Sequence, residues 1–208
     1  MPVDQATRQR IIQANQRYSR QVDQIRRDPY LSTEGKRRAL GVLYHRHQAW
    51  GAAERARADA KARERAEALR RRLFSPPPGA ILEWRDAVDR LGGVDSVQKM
   101  QGMLRTALTV GDTTMIQAIL AAAWGRAAED RLQRGWKAVV EEAIQGLGEQ
   151  YRPYADELAS IERAADPKAR FTESAELSVV RPEELAGISD MELARWSAEQ
   201  QTPQGGAA

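Results

Sequence analysis

Residues 51–68 contain no leucine, isoleucine, valine, phenylalanine or tryptophan, and this absence limits the folds that the chain can form. Alanine and charged residues make up the stretch after Gly51, and most of them are strong helix formers. Without large apolar side chains, these residues cannot bury enough surface to hold a globular domain of their own. The sequence therefore predicts a charged helix here, and a hydrophobic core formed mainly by the residues after Leu73.

The charge of the chain divides at residues 75–79, a segment with three consecutive prolines. Residues 1–79 carry 18 Lys and Arg against 8 Asp and Glu, whereas residues 80–208 carry 14 against 21. The two parts therefore have net charges of +10 and −7, which the overall net charge of +3 conceals. Because proline interrupts helices, we expect a basic helical part and an acidic helical part joined at this segment.

The basic part shows two runs of apolar residues at helical spacing. The first run is Ile11, Ala14, Tyr18, Val22 and Ile25, and the second is Leu40, Leu43, Tyr44 and His47. Between them, Asp28-Pro29 ends the first helix and Ser32 is a good N-cap for the second. A connection this short predicts an αα-hairpin, whose second helix continues into the charged stretch.

The acidic part has the pattern of a compact helical domain. Its first helix has an apolar face made of Ile81, Trp84, Val88 and Leu91. Asp95, Asp112 and Ser189 are expected to cap later helices, and Phe171–Val180 is the one segment that favours an extended conformation. The tryptophans and methionines of this part lie at helical spacing beside leucine and isoleucine, which indicates core residues more than a ligand cleft.

The sequence thus predicts an all-α protein with four regions. These are a basic hairpin and long alanine- and arginine-rich arm over residues 1–74, a proline-rich linker over 75–79, an acidic helical domain over 80–201, and a disordered tail over 202–208. In this arrangement the arm extends from the hairpin and the acidic domain provides the core.

Seven arginines of the charged helix are candidates for contacts with phosphates or with an acidic partner. They are Arg55, Arg57, Arg63, Arg65, Arg70, Arg71 and Arg72. Three interpretations remain open: a solvated spacer helix, a helix that follows a phosphate backbone, and a self-associating coiled coil. The coiled coil is disfavoured because the stretch lacks large apolar residues at the a and d positions.

The sequence indicates no catalytic apparatus, cofactor site or metal site. It has no cysteine and two histidines, and His45 and His47 are two residues apart, so on a helix they point in different directions. The adjacent carboxylates Glu141-Glu142 and Glu183-Glu184 also diverge on a helix, and none of the common phosphate-binding, zinc or serine-hydrolase motifs is present. No run approaches the length of a membrane helix, and the N-terminus lacks an apolar signal core.

A succession of short motifs along most of the chain resembles a known family. The motifs are Ala14-Asn15, Tyr18, Ile25-Arg26, Leu31-Ser32, Gly35-Lys36, Leu73-Phe74, Trp84-Arg85-Asp86-Ala87, Gly111-Asp112, Ala118-Ile119, Ala122, Trp136, Val139, Glu157-Leu158 and Arg181-Pro182-Glu183-Glu184-Leu185. The succession is similar to uncharacterised proteins from the structural-gene region of tailed phages and prophages of actinobacteria. This resemblance implies a part in building the head, neck or tail of the virion, and it supplies no catalytic residues.

Two classes of function follow from these observations. The first is a non-enzymatic phage structural or assembly protein, which would act in the host cytoplasm by contacting capsid, neck or tail proteins and would then enter the virion. Its basic arm would reach a neighbouring subunit, another copy of the chain, or DNA. The alternative is a nucleic-acid-binding protein that uses the basic arm without sequence preference, since no base-reading motif accompanies the arginines. A scaffold that leaves after assembly is a variant of the first class.

Overall fold

The computed structural model describes residues 5–76, 78–129 and 134–200. Within these ranges every regular element is helical, which confirms the all-α class. The α-helices are α1 (Gln5–Arg27), α2 (Thr33–Phe74), α3 (Ile81–Gly92), α4 (Val97–Val110), α5 (Thr113–Glu129), α6 (Arg134–Leu147), α7 (Arg152–Ala164), α8 (Pro167–Glu176) and α9 (Asp190–Glu199). Short 3₁₀ turns lie at Glu149–Tyr151 and Glu183–Leu185. The tail expected at residues 202–208 lies outside the described residues.

The chain packs into two compact units whose boundaries differ from those expected at the proline segment. Unit 1 comprises the described residues of Met1–Ala62 and Ala164–Ala208, and unit 2 comprises those of Arg63–Arg163. The last turns of α2 belong to unit 2 because Leu69 and Leu73 are fully buried in its core. Ala66, Leu69 and Leu73 thus pack this end of α2 into the core of unit 2.

Unit 1 joins α1 and the first part of α2 to the C-terminal segment of the chain. Its larger buried cluster consists of Tyr18, Val22, Leu40, Tyr44, Leu185 and Leu193. A smaller cluster contains Ile11 and Leu177, with Trp50 packed against them. Residues from the acidic end of the sequence thus complete the core of the basic helices, since neither helix has enough apolar surface to form a core alone.

Unit 2 is built around α5. All side chains from Met115 to Leu120 are buried, so this helix is covered on most of its sides, as expected for a central helix. It packs against α3, α4 and α6. Gly146 of α6 lies directly against Leu108 of α4, where a larger residue would have no room. These helices and the end of α2 form the largest hydrophobic core among the described residues.

Local signals identified three helix caps correctly, at Ser32, Asp112 and Ser189, and a fourth to within a residue. Asp112 Oδ1 accepts a hydrogen bond from the Met115 amide at 2.9 Å, and Ser189 Oγ accepts one from the Glu192 amide at 3.2 Å. The cap of α4 is Ser96, which accepts from the Lys99 amide, instead of the expected Asp95. Asp95 instead forms an ion pair with the Lys99 side chain at 3.3 Å.

Two expectations for the acidic part are wrong. Of the face expected for α3, Leu91 is buried and Trp84 packs against the core, but Ile81 and Val88 are 58% and 45% exposed and Ala87 is buried instead. The expected face is therefore wrong for Ile81 and Val88. Phe171–Glu176 is helical and belongs to α8. Pro167 suits the first turn of this helix and Asp166 accepts a hydrogen bond from the Lys168 amide, so the start of α8 is favourable.

No helix among the described residues combines the length and the apolar character that a membrane crossing requires.

Candidate interaction surfaces

The structure disperses the seven candidate arginines of α2 and pairs four of them within the chain. Arg57 contacts Glu54 at 2.6 Å in unit 1. In unit 2, Arg65 donates two hydrogen bonds to Glu157 at 2.6 and 2.7 Å, and Arg70 donates one to Glu162 at 2.7 Å. The guanidinium of Arg72 lies 4.1 Å from the centre of the Tyr154 ring, as a cation–π contact.

Glu157 and Glu162 come from α7, so an acidic helix covers part of the arginine-rich end of α2 in unit 2. The hydrogen bond from Arg65 holds the pKa of Glu157 below its usual range. Glu162 also accepts a hydrogen bond from the indole nitrogen of Trp124 at 2.9 Å, which fixes its position. These carboxylates neutralise the charge that an external phosphate would otherwise contact.

Arg55, Arg63 and Arg71 form no ion pair with any described residue. They follow each other at intervals of eight residues, so each is rotated by about 80° from the one before along an α-helix. Arg63 and Arg71, which both belong to unit 2, therefore point in different directions. Within unit 2, the two arginines without an ion pair to a described residue thus form no stripe along α2.

The turn between α1 and α2, residues 28–32, presents an exposed aromatic side chain and is called the apical turn below. Tyr30 is 94% exposed and Leu31 is 36% exposed. Asp28 accepts a hydrogen bond from the Tyr30 amide at 2.8 Å, and Ser32 accepts one from the Gly35 amide at 3.1 Å. These two bonds support the backbone of the turn that carries the exposed Tyr30 ring.

Basic residues surround the apical turn. Lys36 donates a hydrogen bond to the carbonyl of Arg26, and Arg37 donates one to the carbonyl of Glu184. Arg27 forms no ion pair within the described ranges. An exposed tyrosine beside arginines is the composition that protein interfaces favour. Sequence reasoning did not single out Tyr30, because the sequence alone does not distinguish an exposed tyrosine from a buried one.

A groove of about 340 Å³ in unit 1 runs between α1 and the segment before the second 3₁₀ turn. Its lining includes Asn15, Tyr18, Arg26, Val179 and Arg181. Burial raises the pKa of Tyr18 to about 12. Arg26 is held at this groove by two hydrogen bonds to Glu184, at 2.7 and 3.0 Å.

His47 has a packing role in unit 1. Its ring stacks between Tyr18 and Trp50, with ring centres 4.8 and 5.7 Å apart. Its Nε2 lies 2.9 Å from Asn15 Oδ1, and burial lowers its pKa. Among the described residues no group of three or more His, Cys, Asp or Glu side chains is arranged to hold a metal ion.

A further exposed apolar surface lies on the first helix of unit 2 after the proline segment. Leu82 is 76% exposed, and Ile81 and Val88 lie beside it on the outward side of α3. Arg85 and Asp89 are exposed on the same side. Exposed apolar side chains grouped on one helix are typical of interaction sites.

Comparison of the chain with protein families, with curated proteins and with solved structures finds no match.

Proposed function

We propose that this protein is a non-enzymatic component of phage particle assembly that acts through protein–protein contacts. The observation that supports this proposal most directly is the apical turn, which holds Tyr30 almost fully exposed on a hydrogen-bonded support. A preorganised aromatic side chain loses little conformational freedom when a partner covers it, which favours binding. The resemblance of its short motifs to structural-region phage proteins suggests that the partner is a capsid, neck or tail protein.

In this proposal α1 and α2 act as a hairpin, with the apical turn as its contacting end and the charged helix as its extension. The stacking of Tyr18 on His47 and the ion pair between Arg10 and Glu54 support the hairpin, because residues early in α1 contact residues late in the first part of α2. The hairpin would reach a neighbouring subunit during assembly in the host cytoplasm.

Non-specific binding of DNA has less support than contact with a protein. Of the seven candidate arginines, Arg57, Arg65 and Arg70 are already paired with carboxylates and Arg72 lies on a tyrosine ring. Binding to a phosphate backbone would require several free cations along one surface. We therefore expect the full chain to show little dependence of DNA affinity on salt concentration.

The test is quantitative mass spectrometry of mature particles and of immature particles from the phage or prophage that encodes the chain. We expect the protein at a defined number of copies in at least one of the two. A Tyr30→Ala variant should reduce that number at least tenfold, because it removes the exposed aromatic contact.

Phe171→Ala is the matched control, since Phe171 is also an exposed aromatic residue of unit 1, at 77%. It should leave incorporation unchanged. Absence of the wild-type protein from both kinds of particle would contradict the proposed function. Equal loss of incorporation in both variants would contradict the specific role of the apical turn.

A further inference from the structure

The outward side of α3 carries apolar and charged side chains in an arrangement that is complementary to an identical face. It consists of Ile81, Leu82, Arg85, Val88 and Asp89, and is called the α3 outer face below. All five residues are exposed. Ile81, Arg85 and Val88 follow each other at spacings of four and three residues, so they form one row along the helix. Leu82, Arg85 and Asp89 form a second row on the same side.

The two charged residues of the α3 outer face have no partner within the described residues. By contrast, Asp86 and Arg90 of the same helix form an ion pair at 2.6 Å. The difference agrees with the known preference of helices for an acidic residue four positions before a basic one, because Arg85 precedes Asp89 in the less favourable order. One cation and one anion are thus left free on an apolar surface.

We propose that the α3 outer face binds the same face of a second copy of this chain, through a two-fold antiparallel contact of the two α3 helices. With the two-fold axis at the level of residue 87, Arg85 of each copy lies opposite Asp89 of the other, and the two Val88 side chains pack near each other. The two Arg85 side chains are then about 6 Å apart along the helices, and Leu82 extends the apolar contact toward the end of the partner helix. Two-fold symmetry forms this Arg85–Asp89 ion pair twice.

Charge complementarity favours a second copy over an unrelated partner. A single-sign surface would repel its own copy, whereas this face carries one residue of each sign in an arrangement that a two-fold axis can satisfy. The helix has 12 residues and is about 18 Å long, so the buried area is at the small end of specific interfaces. The dimer should therefore be weak and in exchange with the monomer.

The test is sedimentation equilibrium of the purified full chain between about 5 and 500 µM, a range that suits weak association through a small interface. The wild-type mass should rise above the 23.2 kDa of the monomer as concentration increases. Arg85→Asp and Asp89→Arg, each alone, should weaken the dimer at least tenfold, because each places like charges opposite one another at both contacts.

Two combinations of these substitutions should restore association. In an equimolar mixture of the Arg85→Asp and Asp89→Arg chains, each contact again joins a cation to an anion, so mixed dimers should form although neither chain dimerises alone. The double variant, which exchanges the two charges within one chain, should dimerise like the wild type. Rescue of this kind would not follow from a general change in net charge.

Leu82→Lys should also weaken the dimer, and Val110→Lys is its matched control on α4, where Val110 is 71% exposed. Circular dichroism of every variant checks that the helices remain folded. A wild-type chain that stays monomeric over the whole range would overturn the proposal. A dimer that the charge substitutions leave unchanged would overturn it too, because the contact would then lie elsewhere.

Discussion

The ring of Tyr18 packs in the core of unit 1, whereas its hydroxyl group is buried without a hydrogen bond to a described residue. It is 4% exposed in the core of unit 1, where its ring stacks on His47. Its hydroxyl has no hydrogen-bond partner among the described residues. A buried polar group without a partner costs about 1–3 kcal/mol, so the apolar ring must supply the favourable part of its burial.

The first prediction concerns the pH dependence of stability at Tyr18. Its pKa is raised from 10.0 to about 12, chiefly because burial disfavours the ionised form. The folded protein therefore retains a proton that the unfolded chain releases above pH 10, and stability falls as the pH rises from 10 to about 12. Tyr18→Phe removes this dependence. It should also stabilise the protein at pH 7 by about 1 kcal/mol, because the buried hydroxyl is lost.

Urea unfolding of both proteins at pH 7, 10 and 11 measures the two effects. Tyr30→Phe is the control, since Tyr30 is fully outside the core and should change neither quantity. An equal loss of stability in Tyr18→Phe and wild type between pH 10 and 11 would contradict the linkage. A destabilised Tyr18→Phe protein at pH 7 would show that the hydroxyl is satisfied in solution.

At the scale of elements, Gly41 sets the distance between α2 and α9 in unit 1. A Cβ atom at this position would lie 2.6 Å from Trp196 Cε3 and 2.9 Å from Leu193 Cδ2. Contacts this short require the Trp196 and Leu193 side chains, or the helix that carries them, to shift. Glycine is thus required by packing in the middle of a long helix, where its intrinsic propensity is otherwise unfavourable.

We predict that Gly41→Ala destabilises the protein by about 1–3 kcal/mol, the usual range for overpacking a buried site. Gly102→Ala in α4 is the control, because a Cβ there meets nothing within 4 Å and should stabilise the helix by up to about 1 kcal/mol. Thermal unfolding followed by circular dichroism compares the two variants. Stabilisation by both would show that α9 does not pack on Gly41.

The sequence predicted those features of the helices that neighbouring residues determine, and it missed those that depend on contacts with other helices. The caps at Asp112 and Ser189 were predictable because each bonds an amide three residues away. The buried face of α3 was not, because Ala87 is a weak apolar signal and only its neighbour α5 decides that it is buried. The helix α8 was also missed, because it has no clear apolar spacing and is favoured mainly by the residues of its first turn.

The sequence predicted which residue types form the candidate site, but it did not predict which partners they contact. The arginine-rich stretch was correctly predicted to be helical, as part of α2. The partners of Arg65 and Arg70, however, lie 92 residues further along the chain in each case. No local pattern reports such a pairing, so the sequence could not show that these arginines are neutralised within the protein.

At the scale of the whole molecule, folding removes the charge separation of the sequence. The residues of unit 1 sum to a net charge of +3, and those of unit 2 to zero. Each unit therefore contains basic residues from the first part of the chain and acidic residues from the second part. Arg38–Glu199 and Arg26–Glu184 illustrate this in unit 1, and Arg65–Glu157 illustrates it in unit 2.

These exposed ion pairs add little stability individually, so the apolar contacts define the units. Unit 2 retains its complete core within residues 63–163, including Leu69 and Leu73. A fragment that begins at residue 80, as the proline segment would suggest, loses both leucines. It also keeps Leu185 and Leu193 without the residues of α1 and α2 that cover them.

We therefore predict that fragment 63–163 folds cooperatively, whereas fragment 80–201 does not. Loss of a buried leucine side chain costs about 2–5 kcal/mol, and a domain of this size has only about 5–15 kcal/mol of stability. Removing two leucines therefore cancels most of the free energy of unfolding of the domain. Urea titration followed by circular dichroism should give one sigmoidal transition for 63–163 and a shallow, non-cooperative change for 80–201. Equal stability of the two fragments would show that the end of α2 is dispensable, and the proline segment would then be the true domain boundary.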